Sequence, residues 1–165
     1  MRPTVRRFLN GIAKGHRQRV VRRSGLRIRI RLWRAHATGD SREGGIPLFP
    51  HPAAARWVAL RRQAMGDGIM DAAVLRRGEG QRPVEAARTA LMARRKAAID
   101  RTIAALEADV PHQTLDIGSI AIGCALGYLD FRFPHEPWRP AAPKLAAWFV
   151  AFAEHPCMAR TVPKG

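Results

Sequence analysis

The pattern of apolar positions changes near residue 51, and from there it has the three- and four-residue spacing of α-helices. A first helix is predicted from near Pro52 to about Arg77, ended by Gly78 and Gly80. Two largely apolar lines run along it, which predicts packing on more than one side. One line is Trp57, Leu60, Ala64, Gly68, Asp71 and Leu75, and the other is Val58, Arg62, Met65, Ile69 and Ala72.

A second helix is predicted over about Val84 to Asp109, with a break near Ala90 and a stop at Pro111. Its two faces differ in polarity, as expected for a helix that covers a core on one side. The inner face carries Met92, Ile99, Ile103, Leu106 and Val110, and the outer face carries Arg94, Arg95, Lys96, Arg101 and Glu107.

A third helix is predicted from Ile117 to about Phe131, and it is apolar on all sides, which is typical of the centre of a bundle. Asp116 is positioned as its N-cap, with Ser119 at the N3 position. Three glycines inside it predict close approach by neighbouring elements, because glycine is otherwise a poor helix former. They are Gly118, Gly123 and Gly127.

A last helix is predicted from Pro143 to about Glu154, since proline suits the first turn of a helix and an apolar stripe follows it. The stripe is Leu145, Trp148, Phe149 and Phe152. No strand pattern follows residue 50. The body of the chain, residues 46–165, is therefore predicted to be an all-α helical bundle.

Residues 1–45 show no sustained helical period and are predicted to be an irregular, disordered basic segment. Residues 26–32 alternate apolar and basic side chains, which is strand periodicity, but one such strand is not stable alone. The net charge of the 165-residue chain is +16. Residues 1–42 hold thirteen basic side chains against the single acid Asp40, or +12, so the charge describes this segment and leaves the body close to neutral.

Cysteine content and hydropathy limit the cellular compartments in which the protein is expected. Cys124 and Cys157 cannot build a disulfide framework, which favours a reducing compartment. The longest apolar run, residues 117–129, is too short to span a bilayer, and the N-terminus lacks the apolar core of a secretory signal. Six histidines show no metal-ligand spacing, so no metal site is predicted.

Five stretches of the body carry a family pattern. Residues 64–72 read A-M-G-D-G-I-M-D-A, and residues 77–83 have Arg, Glu and the pair Arg-Pro at fixed spacing. Residues 120–132 read I-A-I-G-C-A-L-G-Y-L-D-F-R. Residues 148–163 have Trp-x-x-x-Phe followed by Ala-Arg-Thr-x-Pro, and residues 46–50 form a Pro-bounded connector.

These stretches resemble the C-terminal helical domain of glutathione S-transferases of the bacterial branch, over about residues 46–165. The resemblance implies an all-α bundle of that kind and, at family level, glutathione conjugation to hydrophobic electrophiles. It also implies glutathione as co-substrate, a cytoplasmic location and a homodimer. Which electrophile is used is not encoded in any of these motifs.

The chain departs from the family pattern in three places. The capping pair is reversed, because the family usually has Ser/Thr-x-x-Asp where this chain has Asp116 and Ser119. Arg62 stands where the family usually has Leu or Ile, and its side chain must reach solvent or an acid. Residues 1–45 match nothing in the thioredoxin-like domain that precedes the helical domain in the family. We therefore expect the chain to be inactive alone and assign no catalytic residue.

The resemblance also suggests pocket residues. Asp67 and Asp71 lie four apart on one helix face, either in the cleft near the glutathione position or as a structural pair held by Arg or backbone amides. Met65, Met70 and Tyr128 are candidates for lining the electrophile pocket, with burial in the core as the alternative.

The two cysteines are weaker candidates for a functional site than these five residues. Cys124 is expected to be a buried, small apolar side chain. Cys157 follows a proline at a helix end and is expected to be exposed, with only His155 as a neighbouring base.

The basic segment has three interpretations. It is an arm for nucleic acid or an anionic membrane, a targeting segment, or a misassigned or frameshifted start, which we favour because of its place and composition. The first interpretation leads to an alternative function, a non-catalytic protein- or RNA-associated interaction module with residues 1–42 as its basic arm.

Overall fold

The computed structural model describes residues 47–162, in which helices follow one another with short connections. The helices are α1 (Ala53–Glu79), α2 (Ala86–Ala108), α3 (Ile117–Arg132), α4 (Pro143–Ala153) and α5 (Pro156–Ala159), with a 3₁₀ turn (Arg139–Ala141) before α4. No strand occurs within residues 47–162, so the all-α prediction is confirmed there. The predictions for residues 1–46 lie outside the described residues.

The ends of α1 to α4 fall within two residues of the predicted ends, but two details were wrong. The helix α2 continues through Ala90, because this stretch holds neither glycine nor proline. The helix α1 continues through Gly78, and Gly80 caps it by donating its backbone N–H to the carbonyl oxygen of Arg76 at 2.9 Å. The short helix α5 and the 3₁₀ turn were not predicted.

The start of α3 is held by a reciprocal capping box, as predicted. The Asp116 Oδ1 accepts a hydrogen bond from the Ser119 backbone N–H at 2.8 Å. The Ser119 Oγ accepts one from the Asp116 backbone N–H at 2.9 Å and donates to the Thr114 carbonyl oxygen at 2.8 Å. The reversed pair therefore satisfies the same exposed donors as the usual pair.

Two glycines let α1 and α3 cross with their backbones almost in contact. A Cβ atom at Gly118 would lie 2.5 Å from the Ala59 carbonyl oxygen, and one at Gly66 would lie 2.6 Å from the Ala121 carbonyl carbon. The expected close approach is thus confirmed at Gly118. It is wrong at Gly127, where the nearest atom would be 3.6 Å away, an ordinary contact.

Gly123 makes room for a different element, the helix α4. Its added Cβ would lie 3.0 Å from the Phe152 ring on α4, so the absence of a side chain lets that ring lie against α3. The whole predicted stripe of α4 is buried. The Trp148 and Phe152 rings stack with their centroids 4.8 Å apart, and both are buried in the core.

Only one of the two apolar lines of α1 is covered. Ile69 and Ala72 on the second line are buried against α3, whereas Trp57 and Leu75 on the first line are 70% and 47% exposed. The helix α1 packs against both α2 and α3, as predicted, but the first line is not the surface that makes these contacts. Within the described residues that line stays largely exposed.

The outer face of α2 also contains one residue with a tertiary role. Glu107, predicted as an outward charge, accepts hydrogen bonds from the backbone N–H groups of Lys144 at 3.1 Å and Leu145 at 2.7 Å. These donors lie in the first turn of α4, whose own N-cap residue Ala142 has no side-chain acceptor. Glu107 therefore caps α4 from another helix.

Candidate functional site

The two predicted carboxylates lie in mid-α1, one turn apart. Asp67 is exposed and Asp71 is half-buried. Between them, Gly68 faces open space, since an added Cβ would have no neighbour within 4 Å. This part of α1 therefore offers charge and room at the surface of the helical domain, and the cleft role of the two aspartates stays a prediction.

The three apolar candidates differ in how much surface they present. Met65 is half-buried against the core, whereas Met70 and Tyr128 are each only 8% exposed and belong to the core itself. Burial raises the pKa of Tyr128, with Arg132 and Arg77 acting in the opposite direction, so its phenol stays neutral near pH 7. Met65 is thus the apolar candidate with the most accessible surface.

Cys124 on α3 is near this group, and it is half-buried rather than fully buried. Burial, followed by the influence of Cys157 and Asp67, raises its pKa to about 11. The residue is therefore a neutral thiol at physiological pH and packs as a small apolar side chain.

Cys157 is exposed, as expected, and His155 is indeed its neighbour. The His155 Nδ1 lies 3.2 Å from the Cys157 Sγ and also caps the backbone N–H of Cys157. Desolvation nevertheless raises the pKa of the Cys157 thiol. The pair thus lacks the lowered thiol pKa that marks an activated nucleophile.

Two arginines occupy the buried side of α1. Arg62 reaches an acid, as expected, with Nη2 3.3 Å from the Asp109 Oδ1 at the end of α2. Arg61 pairs with the same carboxylate. Arg76, two turns beyond Ile69 on the same line, donates both hydrogens of Nη2 to the Glu136 oxygens at 2.8 and 2.9 Å.

Sequence reasoning missed Arg76 and Glu136, which line a cavity of about 350 Å³ between α1, α2, the end of α3 and the connection to α4. A signal was present, because positions 62, 69 and 76 are spaced by seven and share one helix face. The partner acid lies 60 residues away, where periodicity carries no information. None of the five predicted pocket residues lines this cavity.

Within residues 47–162, no three His, Cys, Asp or Glu side chains are arranged to hold a metal ion. None of the helices described there has the length and apolar character needed to cross a bilayer.

Known proteins resemble this chain in sequence. A family model for the glutathione S-transferase C-terminal domain matches residues 89–151. The uncharacterized GST-like protein YibF of Escherichia coli K12 is 31% identical over 106 residues, which is 61% of this chain. The match covers 52% of YibF, so the chain spans about half the length of that curated relative.

Solved structures resemble it as well. A glutathione transferase family member from Pseudomonas fluorescens Pf-5, with bound S-(propanoic acid)-glutathione, is 38% identical with a TM-score of 0.71. That match covers 82% of this chain and 69% of the other. A glutathione S-transferase from Methylobacterium radiotolerans JCM 2831, in complex with glutathione sulfonate, is 30% identical with a TM-score of 0.68, over 84% of this chain and 66% of that one.

The central α3 with its capping box, crossed closely by α1 and packed against α4, is the architecture of a transferase-type helical domain. The chain belongs to the glutathione S-transferase family. The resemblance stated from the sequence motifs is thereby confirmed.

Proposed function

We propose that this chain supplies the helical half of a glutathione transferase, where a hydrophobic electrophile is held for attack by the glutathione thiolate. The observation that carries the proposal is the 38% identity, over 82% of the chain, to a family member solved with a glutathione conjugate. A conjugate unites both reactants in one pocket, so an equivalent helical domain is expected to form part of such a pocket. The co-substrate is glutathione, the chemistry uses no metal and the location is the cytosol.

Within this proposal, the exposed middle of α1 faces the reactants. Asp67 and Asp71 contribute carboxylates near glutathione, because they lie one turn apart beside the open space at Gly68. Met65 contacts the electrophile with its half-buried side chain. Met70 and Tyr128 support that wall from the core behind it.

The same proposal includes the expectation that the chain alone has no conjugating activity. The thiolate of glutathione, rather than the thiol, is the nucleophile, and it needs a nearby group that stabilises it. Residues 1–45 contain none of the family motifs that do this. Cys124 and Cys157 have raised pKa values and are not substitutes. The chain alone is therefore expected not to conjugate.

A domain fusion tests both statements. The full chain and a fusion of a relative's thioredoxin-like domain to residues 46–165 are assayed with glutathione and a chloronitrobenzene. We expect conjugation by the fusion and only the uncatalysed rate with the chain. Asp67→Asn should lower kcat/KM of the fusion about tenfold, the loss of one charge-assisted contact, with exposed Glu154→Gln as control. A folded fusion no faster than the donor domain alone would contradict the pocket, and turnover by the chain alone would contradict its inactivity.

Homodimer formation belongs to the same proposal. Near the start of α1, Trp57 and its neighbour Val58 are 70% and 40% exposed, and an exposed apolar patch of this kind serves protein contacts. We expect sedimentation of the full chain to report a dimer, and Trp57→Glu to shift it toward monomer. Val150→Glu, at a similarly exposed apolar site on α4, should leave the dimer intact. A monomeric parent chain would rule out this association.

A second candidate is the RNA-associated module, favoured by the +12 charge of residues 1–42. Contacts to phosphates release counterions, so RNA affinity should fall steeply as salt rises. Deleting residues 1–42 should abolish that binding while the far-ultraviolet circular dichroism of the bundle stays unchanged. Salt-independent binding, or binding retained after the deletion, would exclude this candidate.

A further inference from the structure

The cavity beside Arg76 has a mainly apolar interior and a charged rim. Its volume of about 350 Å³ falls in the range of small-molecule sites. Ile99 and Ile103 of α2, Leu129 of α3, and Phe133 and Trp138 after α3 supply the interior. Such walls suit a ligand whose apolar part is flat or branched.

The wall that follows α3 is held in place independently of any ligand. The Trp138 Nε1 donates to the Asp130 Oδ1 at 2.9 Å, and Arg139 pairs with the other oxygen of Asp130 at 2.6 Å. The backbone N–H of Glu136 donates to the Phe133 carbonyl oxygen at 2.9 Å. The cavity is therefore a preformed feature, and the Glu136 side chain can rotate without moving its backbone.

Arg76 is the one polar side chain of the cavity that is more than nine-tenths buried. Its guanidinium carbon lies 4.9 Å from the centre of the Phe133 ring, which fixes its position. Both Glu136 oxygens share the single Nη2, while Nε is buried without a hydrogen-bond partner among the described residues. The guanidinium thus has an unused donor, although a carboxylate prefers two parallel bonds from two nitrogens.

The charges of the cavity limit the kind of ligand. Arg76 and Lys96 are balanced by Glu136 and Asp100, and Lys96 is bound to Asp100 at 2.6 Å near solvent. If the Glu136 side chain turns outward, one positive charge remains inside. That charge matches a single carboxylate and disfavours a second one, which would face Asp100.

We propose that this cavity binds a small monocarboxylic acid with an aromatic or branched apolar body. Its carboxylate replaces that of Glu136 on Arg76 and uses Nε–H together with Nη2–H, while its body packs between Ile103 and Phe133. The site shares no residue with the predicted pocket on α1 and α3, so the ligand is distinct from the transferase reactants.

Calorimetric titration of the full chain with β-naphthoate and with β-naphthamide tests the proposal, because the probes differ only in the acid group. We expect the acid to bind about tenfold tighter than the amide. Glu136→Gln removes the competing carboxylate, so it should strengthen acid binding several-fold and leave amide binding unchanged. Arg76→Gln should abolish the preference for the acid.

A matched pair of variants locates the bound probe. Ala104 and Ala105 are neighbouring exposed residues of α2, but only Ala104 lines the cavity. Ala104→Trp should therefore abolish binding, whereas Ala105→Trp should leave it intact. Because both positions are exposed, this pair remains informative if a variant at Arg76 or Glu136 fails to fold. Equal affinity for acid and amide, weaker acid binding by a folded Glu136→Gln, or normal binding by Ala104→Trp would overturn the proposal.

Discussion

Gly66 and Gly68 lie two residues apart in α1 and have opposite surroundings, so the same substitution should act in opposite directions. An added Cβ at Gly66 would lie 2.6 to 2.8 Å from backbone atoms of Ala121 and Ile122, whereas one at Gly68 would meet nothing within 4 Å. Backbone atoms cannot rotate away as a flexible side chain can. Gly66→Ala therefore forces α1 and α3 apart by roughly 0.8 Å to restore ordinary contact.

The two substitutions share one favourable contribution. Replacing a mid-helix glycine by alanine stabilises a helix by about 1 kcal/mol. Overpacking a close helix crossing costs about 3 kcal/mol, the upper part of the usual range, because backbone meets backbone. We therefore expect Gly66→Ala to lower the free energy of unfolding by about 2 kcal/mol and Gly68→Ala to raise it by about 1 kcal/mol.

Urea unfolding of the full chain, followed by far-ultraviolet circular dichroism, measures both changes. A third variant sharpens the test, because the atoms nearest to Gly66 are the backbone atoms of Ala121 rather than its side chain. Ala121→Gly should therefore not rescue Gly66→Ala. A Gly66→Ala variant as stable as Gly68→Ala, or recovery of the lost stability by Ala121→Gly, would contradict a backbone clash at this crossing.

Three shorter predictions use the same unfolding assay or simple chemistry. Asp116→Ala should lower the free energy of unfolding by about 1 kcal/mol. Ser119→Ala should lower it less in the Asp116→Ala variant than in the parent chain, because the two side chains form one capping box. The arginine partner lowers the pKa of Glu136 below its usual 4.5, so its contribution to stability is present above that pH and is lost as the pH falls below it. Glu136→Gln should therefore flatten the acid limb of the stability profile, and an unchanged limb would contradict the pairing. Cys124, with a pKa of about 11 and a half-buried thiol, should resist iodoacetamide longer than exposed Cys157 and react promptly in urea.

The helices and their ends could be predicted because local interactions determine them. The capping box needs only three residues of separation, and the stop at Pro111 needs only the missing N–H of that proline. The close approach at Gly118 was also predictable, since glycine inside an apolar helix has few other uses. At Gly127 the same signal misled, because composition does not say which face a neighbour covers.

The candidate site was only partly predictable for the same reason. Asp67 and Met65 were found from family motifs, and their accessibility agrees with a surface role without testing it. Met70 and Tyr128 carry the same motifs yet are buried in the core. A motif identifies residue types and spacing, whereas exposure depends on which helices pack over them.

By itself, the sequence determined the all-α class, the family and the ends of four helices, because periodicity, caps and motifs are local properties of the chain. Only the tertiary structure decided which side of α1 is covered, that Glu107 caps α4, and that Arg76 meets Glu136 beside a cavity. The contacts of Glu107 with Leu145 and of Arg76 with Glu136 each join residues more than thirty positions apart. They arise from the packing of helices as rigid bodies, which no local pattern along the chain records.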